Sequence, residues 1–354
     1  MKLVTILGAR PQFIKAGTVS RAILNSGPKI EEVIVHTGQH YDSNMSDIFF
    51  EEMKIPKPDH FLAVNGGLHG SMTGQMLEKI EEVLIAESPD LVMVYGDTNS
   101  TLAGALAASK LHIPIAHVES GLRSFNNKMP EEINRILTDR VSSLLFCPTQ
   151  NAVDNLVDEG VKNWGGEVVL SGDVMQDGAN YYREYSKAPD GLKCDPDFVL
   201  CTMHRAENTD SVDRLIEIAE ALRGLAKIKQ VVMPLHPRTK KALSEHNIEL
   251  TGVTLIEPLG YLNMVWLLDN CSMVLTDSGG LQKEAFFFGK PCVTMRDETE
   301  WVELVDHKFN VLSGASSESI IAQVSAANFS SDFAIDLYGQ GNASMRILER
   351  LADV

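Results

Sequence analysis

The chain has 354 residues, a length typical of two domains, and 44% of them are hydrophobic while 22% are charged. This composition excludes a disordered chain, a collagen-like repeat and a coiled coil. The 31 basic and 48 acidic residues give a net charge of −17, which argues against a protein that binds nucleic acid or an anionic membrane through its overall field.

Targeting and redox signals in the sequence are weak. The apolar run at the N-terminus stops at Gly8, too early for a signal peptide, and a run of about 18 apolar residues that would span a membrane is missing from the sequence. Five cysteines are scattered without CxxC spacing, which predicts neither a zinc site nor a disulfide scaffold. We therefore expect a cytoplasmic protein with no metal, no membrane partner and no nucleic-acid partner.

Short β-branched runs alternate with helical patterns along the chain, which is typical of parallel sheets with crossover helices. Strands are predicted over 3–7, 32–36, 91–95, 114–118, 144–147, 167–170, 198–202, 230–233, 253–256, 272–276 and 291–294. Helices are predicted over 11–26, 70–87, 98–111, 131–142, 149–159, 211–226, 238–246, 261–268, 280–288 and 343–351. The pattern predicts an α/β protein with two doubly wound, Rossmann-like domains that face a central cleft.

The domain boundary is expected near a stretch rich in turn-forming residues, 181–197, or ten or more residues before it. We place an N-terminal domain at 1–172 and a C-terminal domain at 173–340. The last helix, about 341–354, is expected to pack back on the first domain.

Ligands of open α/β sheets lie beyond the carboxyl ends of the strands, so the residues after each strand are the candidates. The first strand ends at Gly8, and the helix that follows carries Arg10 and Lys15. Two cations beside the backbone donors of a helix start form an anion site. A surface arginine and a solvated lysine explain the same spacing equally well.

Three acids follow the next strands: Asp97, Glu119 and Glu131. Taken singly, each has an ordinary structural explanation, as a helix N-cap, a loop acid or a favourable charge at a helix start. Clustered carboxylates, however, raise one another's pKa and so suit general acid and base catalysis. Three acids at neighbouring strand ends therefore favour a catalytic interpretation.

In the second half of the chain, His204 and His236 follow two strands, and a Ser278-Gly279-Gly280 turn opens a helix. Such a turn exposes backbone N–H groups to a phosphate, although a tight strand-to-helix turn looks the same in sequence. Glu284 lies one helical turn later, placed to accept hydrogen bonds from a ribose. His204 alone is more often a packed or capping histidine than a catalyst.

Seven motifs occur in the order and approximate spacing of the non-hydrolysing UDP-N-acetylglucosamine 2-epimerases, which the chain resembles from Lys2 to about Leu312. The motifs are Gly8-Ala9-Arg10-Pro11-Gln12, Thr37-Gly38-Gln39-His40, Gly96-Asp97-Thr98, His117-Val118-Glu119-Ser120-Gly121-Leu122-Arg123, Pro130-Glu131-Glu132-Ile133-Asn134-Arg135, His204-Arg205-Ala206-Glu207-Asn208 and Thr276-Asp277-Ser278-Gly279-Gly280.

This resemblance implies a fold like that of the GT-B glycosyltransferases, a homodimer, and inversion of C2 of a UDP-sugar by elimination and re-addition of UDP. It implies no cofactor. The implied catalytic residues are Asp97, Glu119, Glu131 and His204. The implied substrate-binding residues include Arg10, Lys15 and Arg135, which hold anionic groups or orient those carboxylates. The others, which hold the diphosphate and the ribose, are His236, Ser278, Gly279, Gly280 and Glu284.

Two departures concern the substrate. Trp301-Val302 stands where many family members have Arg-Pro, and the loop between Arg123 and Pro130 is short. Both features resemble the branch that acts on UDP-2,3-diacetamido-2,3-dideoxy-glucuronate, an O-antigen precursor, rather than the branch that acts on UDP-N-acetylglucosamine. A uronate requires a local cation, for which Arg123 and Arg296 are candidates unless they pair with neighbouring acids.

Two other functions fit the same architecture: a retaining glycosyltransferase of GT-B fold and a non-catalytic protein that binds sugar nucleotides. The three carboxylates of the first domain distinguish the epimerase, because a transferase needs an acceptor groove in their place.

Overall fold

The computed structural model describes residues 1–25, 29–39, 54–326 and 328–353, with Arg10 described by its backbone alone. The chain divides into two compact units, Met1–Gly178 together with Asp336–Val354, and Ala179–Ile335. His40 and residue 26, both part of the sequence predictions, lie outside the described residues.

The first unit contains a seven-stranded parallel sheet in the order β3-β2-β1-β4-β5-β6-β7. Its strands are β1 (Lys2–Leu7), β2 (Glu31–His36), β3 (His60–Phe61), β4 (Leu91–Tyr95), β5 (Ile115–Val118), β6 (Leu144–Cys147) and β7 (Glu167–Leu170). The strand order reverses between β1 and β4, which is the point where doubly wound sheets bind their ligands.

Helices alternate with these strands, as the sequence predicts. They are α1 (Arg10–Asn25), α2 (His69–Glu87), α3 (Asn99–Lys110), α4 (Pro130–Val141), α5 (Gln150–Asp158), a short 3₁₀ helix (Val161–Asn163) and α6 (Val174–Arg183). Helix α6 was not among the predicted helices, and its residues belong partly to the first unit and partly to the second.

The second unit repeats the arrangement with six parallel strands in the order β10-β9-β8-β11-β12-β13. The strands are β8 (Val199–Thr202), β9 (Val231–Pro234), β10 (Thr254–Ile256), β11 (Met273–Thr276), β12 (Cys292–Thr294) and β13 (Asn310–Leu312). The helices are α7 (Ala206–Thr209), α8 (Val212–Leu225), α9 (Pro237–Glu245), α10 (Tyr261–Asn270), α11 (Gly279–Phe287), α12 (Val302–Asp306) and α13 (Ser317–Ala326). The prediction of two doubly wound α/β domains is confirmed.

The last helix, α14 (Ala343–Leu351), packs against α1 in the first unit. Its first turn is held by Asp177, whose carboxylate accepts hydrogen bonds from the backbone N–H groups of Ala343 (3.0 Å) and Ser344 (2.8 Å). Burial of a carboxylate at a helix start is tolerated because these donors and the helix dipole offset its charge.

The central strands of both sheets are buried on both faces, which explains their unbroken apolar sequences. Every residue of β4 is buried, and α3 packs on it through small side chains. A Cβ at Gly104 in α3 would lie 2.8 Å from Ile6 Cδ1, so the absence of a side chain lets α3 approach the sheet closely. Each buried valine or leucine contributes about 1.5–3 kcal/mol relative to its exposed state. Across the described ranges, no helix combines the length and the hydropathy needed to cross a bilayer.

Candidate active site

The turn after β1 is fixed by Gln12, a residue whose role the sequence analysis did not identify. Its side-chain oxygen accepts from the N–H groups of Gly8 (2.8 Å) and Ala9 (2.9 Å), and its amide nitrogen donates to the Tyr95 carbonyl (2.8 Å). A Cβ at Gly8 would lie only 1.9 Å from Ser100 Oγ. The turn is therefore tied to the end of β4, and α1 starts at a fixed place.

Lys15 on α1 forms an ion pair with Glu119, which follows β5, and the two side chains are 11% and 10% exposed. Glu119 adopts a left-handed backbone conformation with φ 72°. A non-glycine residue in this region costs about 1–3 kcal/mol, a strain that is common at functional sites. A Cβ at Gly96 would lie 3.1 Å from Glu119 Oε2, so Gly96 leaves space for the carboxylate.

Asp97 lies in the same cluster. Its Oδ2 is 3.0 Å from Arg135 Nη2, and its carbonyl accepts from Asn134 Nδ2 at 2.8 Å. Burial raises the pKa of Asp97; Arg135 and Lys15 oppose the rise, and the carboxylates of Glu119 and Glu131 add to it. The first unit thus brings together two of the predicted cations and all three predicted acids, and makes Asp97 a stronger base than an ordinary aspartate.

Glu131 and its neighbour Glu132 differ sharply in environment. Glu131 is exposed in the first turn of α4, and its carbonyl accepts from Arg135 Nε at 3.2 Å. Glu132 is buried and accepts from the N–H groups of Ser124 and Phe125, each at 2.9 Å. Glu132 therefore holds the loop before α4, a structural role that the sequence analysis did not separate from that of Glu131.

In the second unit, the buried carboxylate of Asp277 organises the turn after β8. It accepts from the N–H groups of His204 (3.1 Å) and Arg205 (3.0 Å) and from Asn208 Nδ2 (3.1 Å). His204 Nδ1 lies 3.5 Å from Asp277 Oδ1. Asp277 belongs to the last of the seven motifs, but its place there did not predict this role.

The two predicted histidines of the second unit lie together, with ring centroids 5.4 Å apart. Burial lowers the pKa of both rings, and Arg238 adds to this effect while Asp277 opposes it. His236 also caps α9, because its Nδ1 accepts from the N–H of Arg238 at 3.2 Å. A neutral histidine pair beside arginines suits contact with an anionic group.

The Ser278-Gly279-Gly280 turn opens α11, as predicted. A Cβ at Gly279 would lie 2.3 Å from Glu300 Oε1, whereas a Cβ at Gly280 would meet no described atom within 4 Å. Bare backbone at a helix start exposes N–H donors, and the helix dipole favours an anion there. Further along α11, buried Glu284 accepts from Tyr261 Oη at 2.9 Å, a partner that the sequence analysis missed.

Both candidate cations for a uronate are engaged by acids of the chain. Arg123 donates to Asp139 (2.7 Å) and to Glu159 (2.6 Å), and Arg296 Nη1 lies 2.9 Å from Glu300 Oε2. The side chain of Arg10 is outside the described set, as is His40. No group of three or more histidine, cysteine or acidic side chains with metal-binding geometry occurs among the residues that were placed.

Comparison with known proteins assigns the chain to a family. A family model described as UDP-N-acetylglucosamine 2-epimerase matches residues 22–352. The UDP-2,3-diacetamido-2,3-dideoxy-D-glucuronate 2-epimerase of Pseudomonas aeruginosa is 58% identical over 99% of both chains. The UDP-N-acetylglucosamine 2-epimerase of Methanocaldococcus jannaschii is 44% identical over 92% of this chain and 91% of the relative.

Solved structures agree. The crystal structure of the Methanocaldococcus jannaschii UDP-GlcNAc 2-epimerase in complex with UDP-GlcNAc and UDP has a TM-score of 0.91 at 42% identity and covers 100% of both chains. The Neisseria meningitidis enzyme bound to UDP-GlcNAc has a TM-score of 0.89 at 31% identity, also over 100% of both chains. The chain therefore belongs to the UDP-N-acetylglucosamine 2-epimerase family, and the prediction of a UDP-sugar 2-epimerase, an isomerase, is confirmed.

Proposed function

We propose that this epimerase inverts C2 of a UDP-2-acetamido sugar by anti elimination of UDP and re-addition of UDP to the other face. The observation that carries this mechanism is the cluster of Asp97 and Glu119 with Lys15 and Arg135 after β4 and β5. The C2 proton is weakly acidic, so its removal needs a positioned carboxylate of raised basicity.

In the first step a carboxylate takes the C2 proton. The electron pair of the C2–H bond forms a C1=C2 double bond, and the C1–O bond breaks with its pair leaving on UDP. In the second step, a protonated carboxyl group delivers a proton to the opposite face of C2, and an oxygen of UDP forms a new bond to C1. Asp97, Glu119 and Glu131 are the candidates for these two roles, and Lys15 and Arg135 orient the carboxylates.

The second unit holds the UDP moiety in this proposal. The helix start at Gly279 and Gly280, together with Ser278, binds the diphosphate, and Glu284 binds the ribose. His204 and His236 contact the diphosphate, and His204 also acts in catalysis by stabilising the departing phosphate. Arg10 binds the same anionic groups in this proposal. No cofactor takes part in the proposed steps.

We propose UDP-2,3-diacetamido-2,3-dideoxy-glucuronate as the preferred substrate. Support comes from the 58% identical relative named for that sugar and from the Trp301-Val302 departure. Because Arg123 and Arg296 are held by acids of the chain, the proposal requires another donor for the uronate carboxylate. A neutral hexose leaves such a donor unpaired, so kcat/KM for the uronate is expected to exceed that for UDP-N-acetylglucosamine by ~10²-fold or more. Steady-state rates with both sugars decide this, and a preference for UDP-N-acetylglucosamine rejects the uronate assignment while leaving the C2 chemistry intact.

The central experiment is proton NMR of each sugar incubated with the enzyme in D₂O. Deprotonation at C2 must bring solvent deuterium to that carbon in recovered substrate and product. Epimerisation without deuterium at C2 contradicts the mechanism. D97N is the matched inactive variant, and D158N, which changes an exposed aspartate on α5, is the control.

We further propose a cytoplasmic homodimer that supplies precursors of a cell-surface polysaccharide. Family resemblance supports the dimer, and the nature of the sugar supports the pathway role. Light scattering of the purified chain measures its mass directly, and a monomer at micromolar concentration contradicts the dimer.

A further inference from the structure

A buried histidine, His117 on β5, lies behind the acid cluster and takes no part in the proposed steps. Its side chain has no exposed surface. Nδ1 is 2.6 Å from Asp139 Oδ1 on α4, and Nε2 is 2.7 Å from the carbonyl oxygen of Gly96. Both ring nitrogens therefore face oxygen atoms at short hydrogen-bond distance.

The chemistry of those two oxygens decides which protons the ring carries. The Gly96 carbonyl accepts only, so Nε2 must bear a hydrogen. A neutral imidazole would then present the bare lone pair of Nδ1 to a carboxylate oxygen at 2.6 Å, which is repulsive. His117 and Asp139 together therefore hold one proton more than a neutral imidazole and an ionised carboxylate would hold.

That extra proton belongs on the histidine because of what surrounds the carboxylate. The second oxygen of Asp139 accepts from the N–H of Gly121 (3.1 Å) and from Arg123 Nη1 (2.7 Å). This oxygen therefore already has two donors, and the charge of Arg123 favours the ionised form of the carboxylate, so the extra proton lies on the imidazole ring. Arg123 also binds Glu159 at 2.6 Å, so its position beside Asp139 is fixed from both sides.

The same pair contacts both turns that carry the proposed acid and base groups. The Gly96 carbonyl immediately precedes Asp97, and Gly96 is in the left-handed region with φ 62°. The Gly121 N–H lies two residues after Glu119, itself left-handed. A charge-assisted hydrogen bond is roughly twice as strong as a neutral one, which suits a group that must hold both turns in place, including the strained turn at Glu119.

We infer that His117 is a buried imidazolium which, with Asp139, acts as a positioning residue that holds the Asp97 and Glu119 turns at a fixed separation. The positioning role rests on the proposed function, because it presumes that these two carboxylates act on the substrate. The protonation state of His117 does not depend on the proposed function.

Two-bond ¹H–¹⁵N NMR of the histidine-labelled enzyme tests the protonation state directly. The spectrum of the wild-type protein is expected to show both His117 ring nitrogens in the protonated range, with the signal assigned by its loss in H117N. One nitrogen in the unprotonated range overturns the inference. Should H117N fail to fold, assignment through neighbouring residues of the wild-type protein provides the same readout.

Kinetics of H117N test the positioning role, with H112N, which alters an exposed histidine after α3, as the matched control. Misplaced carboxylates are expected to lower kcat by ~10- to 10²-fold while KM changes less than about threefold, with rates normalised to the folded fraction. An unchanged kcat, or a loss confined to KM, overturns the positioning role. Failure of the wild-type enzyme to exchange the C2 proton rejects the proposed function and the positioning role together, while the NMR result stands separately.

Discussion

The two units share one topology and differ in the chemistry of their strand ends. After β4 and β5 the first unit carries acids paired with Lys15 and Arg135. After β8 and β9 the second unit carries His204 and His236, and after β11 it carries a helix start without side chains at Gly279 and Gly280. Because the sheets have equivalent strand orders, the fold does not explain this difference. The residues of the turns explain the difference. In the proposed reaction they assign proton transfer to the first unit and anion binding to the second.

The largest effect is expected from neutralising the acids of the first unit. D97N and E119Q should each lower kcat by ~10²- to 10⁴-fold, the usual contribution of a positioned acid or base, while the Kd for UDP stays within about threefold. C2 deuterium exchange and isothermal titration measure the two quantities. Near-normal exchange in both variants, judged against D158N, would remove the division of roles proposed above.

A second test compares how one histidine in each unit affects the stability of the protein at low pH. His36 at the end of β2 is buried, its Nδ1 accepts from the N–H of Gly38 at 2.9 Å, and burial lowers its pKa from 6.5 to about 4. A folded-state pKa below the unfolded value means that stability is fully present above pH 6.5 and is lost as the pH falls towards 4. From pH 7 to pH 5 the loss through this one group is about 2 kcal/mol.

H36N keeps a side-chain oxygen in the acceptor position and does not titrate. Its free energy of unfolding in urea is therefore expected to fall about 2 kcal/mol less than that of the wild-type protein between pH 7 and pH 5. H246N, at an exposed position just after α9 in the second unit, is the control. Parallel pH profiles for wild type and H36N would show that His36 is not a determinant of acid stability.

A third test addresses the anion site of the second unit. In G279A the new methyl group must displace the Glu300 carboxylate, which Arg296 holds, and it crowds the start of α11. The Kd for UDP is expected to rise about tenfold, equivalent to about 1.4 kcal/mol. Titration in EDTA gives this value and also tests metal independence. Loss of wild-type binding in EDTA would indicate a metal-bridged diphosphate.

The smallest effect is expected from substituting a glycine that lies outside the anion site. Gly74 is exposed on α2, and a Cβ there would meet no described atom within 4 Å. G74A should stabilise the protein by about 0.5 kcal/mol, because alanine loses less backbone entropy in a helix, and should leave UDP binding unchanged. Thermal unfolding measures the gain. A G74A variant that weakens UDP binding as much as G279A does would contradict the special role given to Gly279.

Much of the fold follows from periodicity in the sequence. Continuous apolar strands such as 91–95 and 273–276 are buried on both faces, and the helical segments between them take the predicted places. Some elements escaped prediction because they are short: β3 has two residues, β13 has three, and α7 has four. Such segments carry too few residues for a period to appear, and pairing with a neighbouring strand or helix decides their structure. The helices α6 and α13 were also missed, although each has ten residues.

The acids and cations of the candidate site could be named from strand ends, because parallel strands deliver their carboxyl ends to one edge. Gln12, Glu132 and Asp277 could not be named in this way. Each is a buried side chain whose partners are backbone N–H groups of a turn. Sequence spacing shows that such a residue is polar and lies on the inner face of an element, but not which turn it will meet.

The sequence by itself determined the α/β class, the parallel arrangement and the set of polar residues offered at the strand ends, since all of these depend on local period and on chain order. The tertiary structure alone decided which charges meet. Arg123 pairs with Asp139 and Glu159 rather than with a ligand, and Lys15 pairs with Glu119. His117 lies between Asp139 and the Gly96 carbonyl. Burial makes these pairings decisive, because a charge removed from water must find a partner, and only the folded chain determines which partner is within reach.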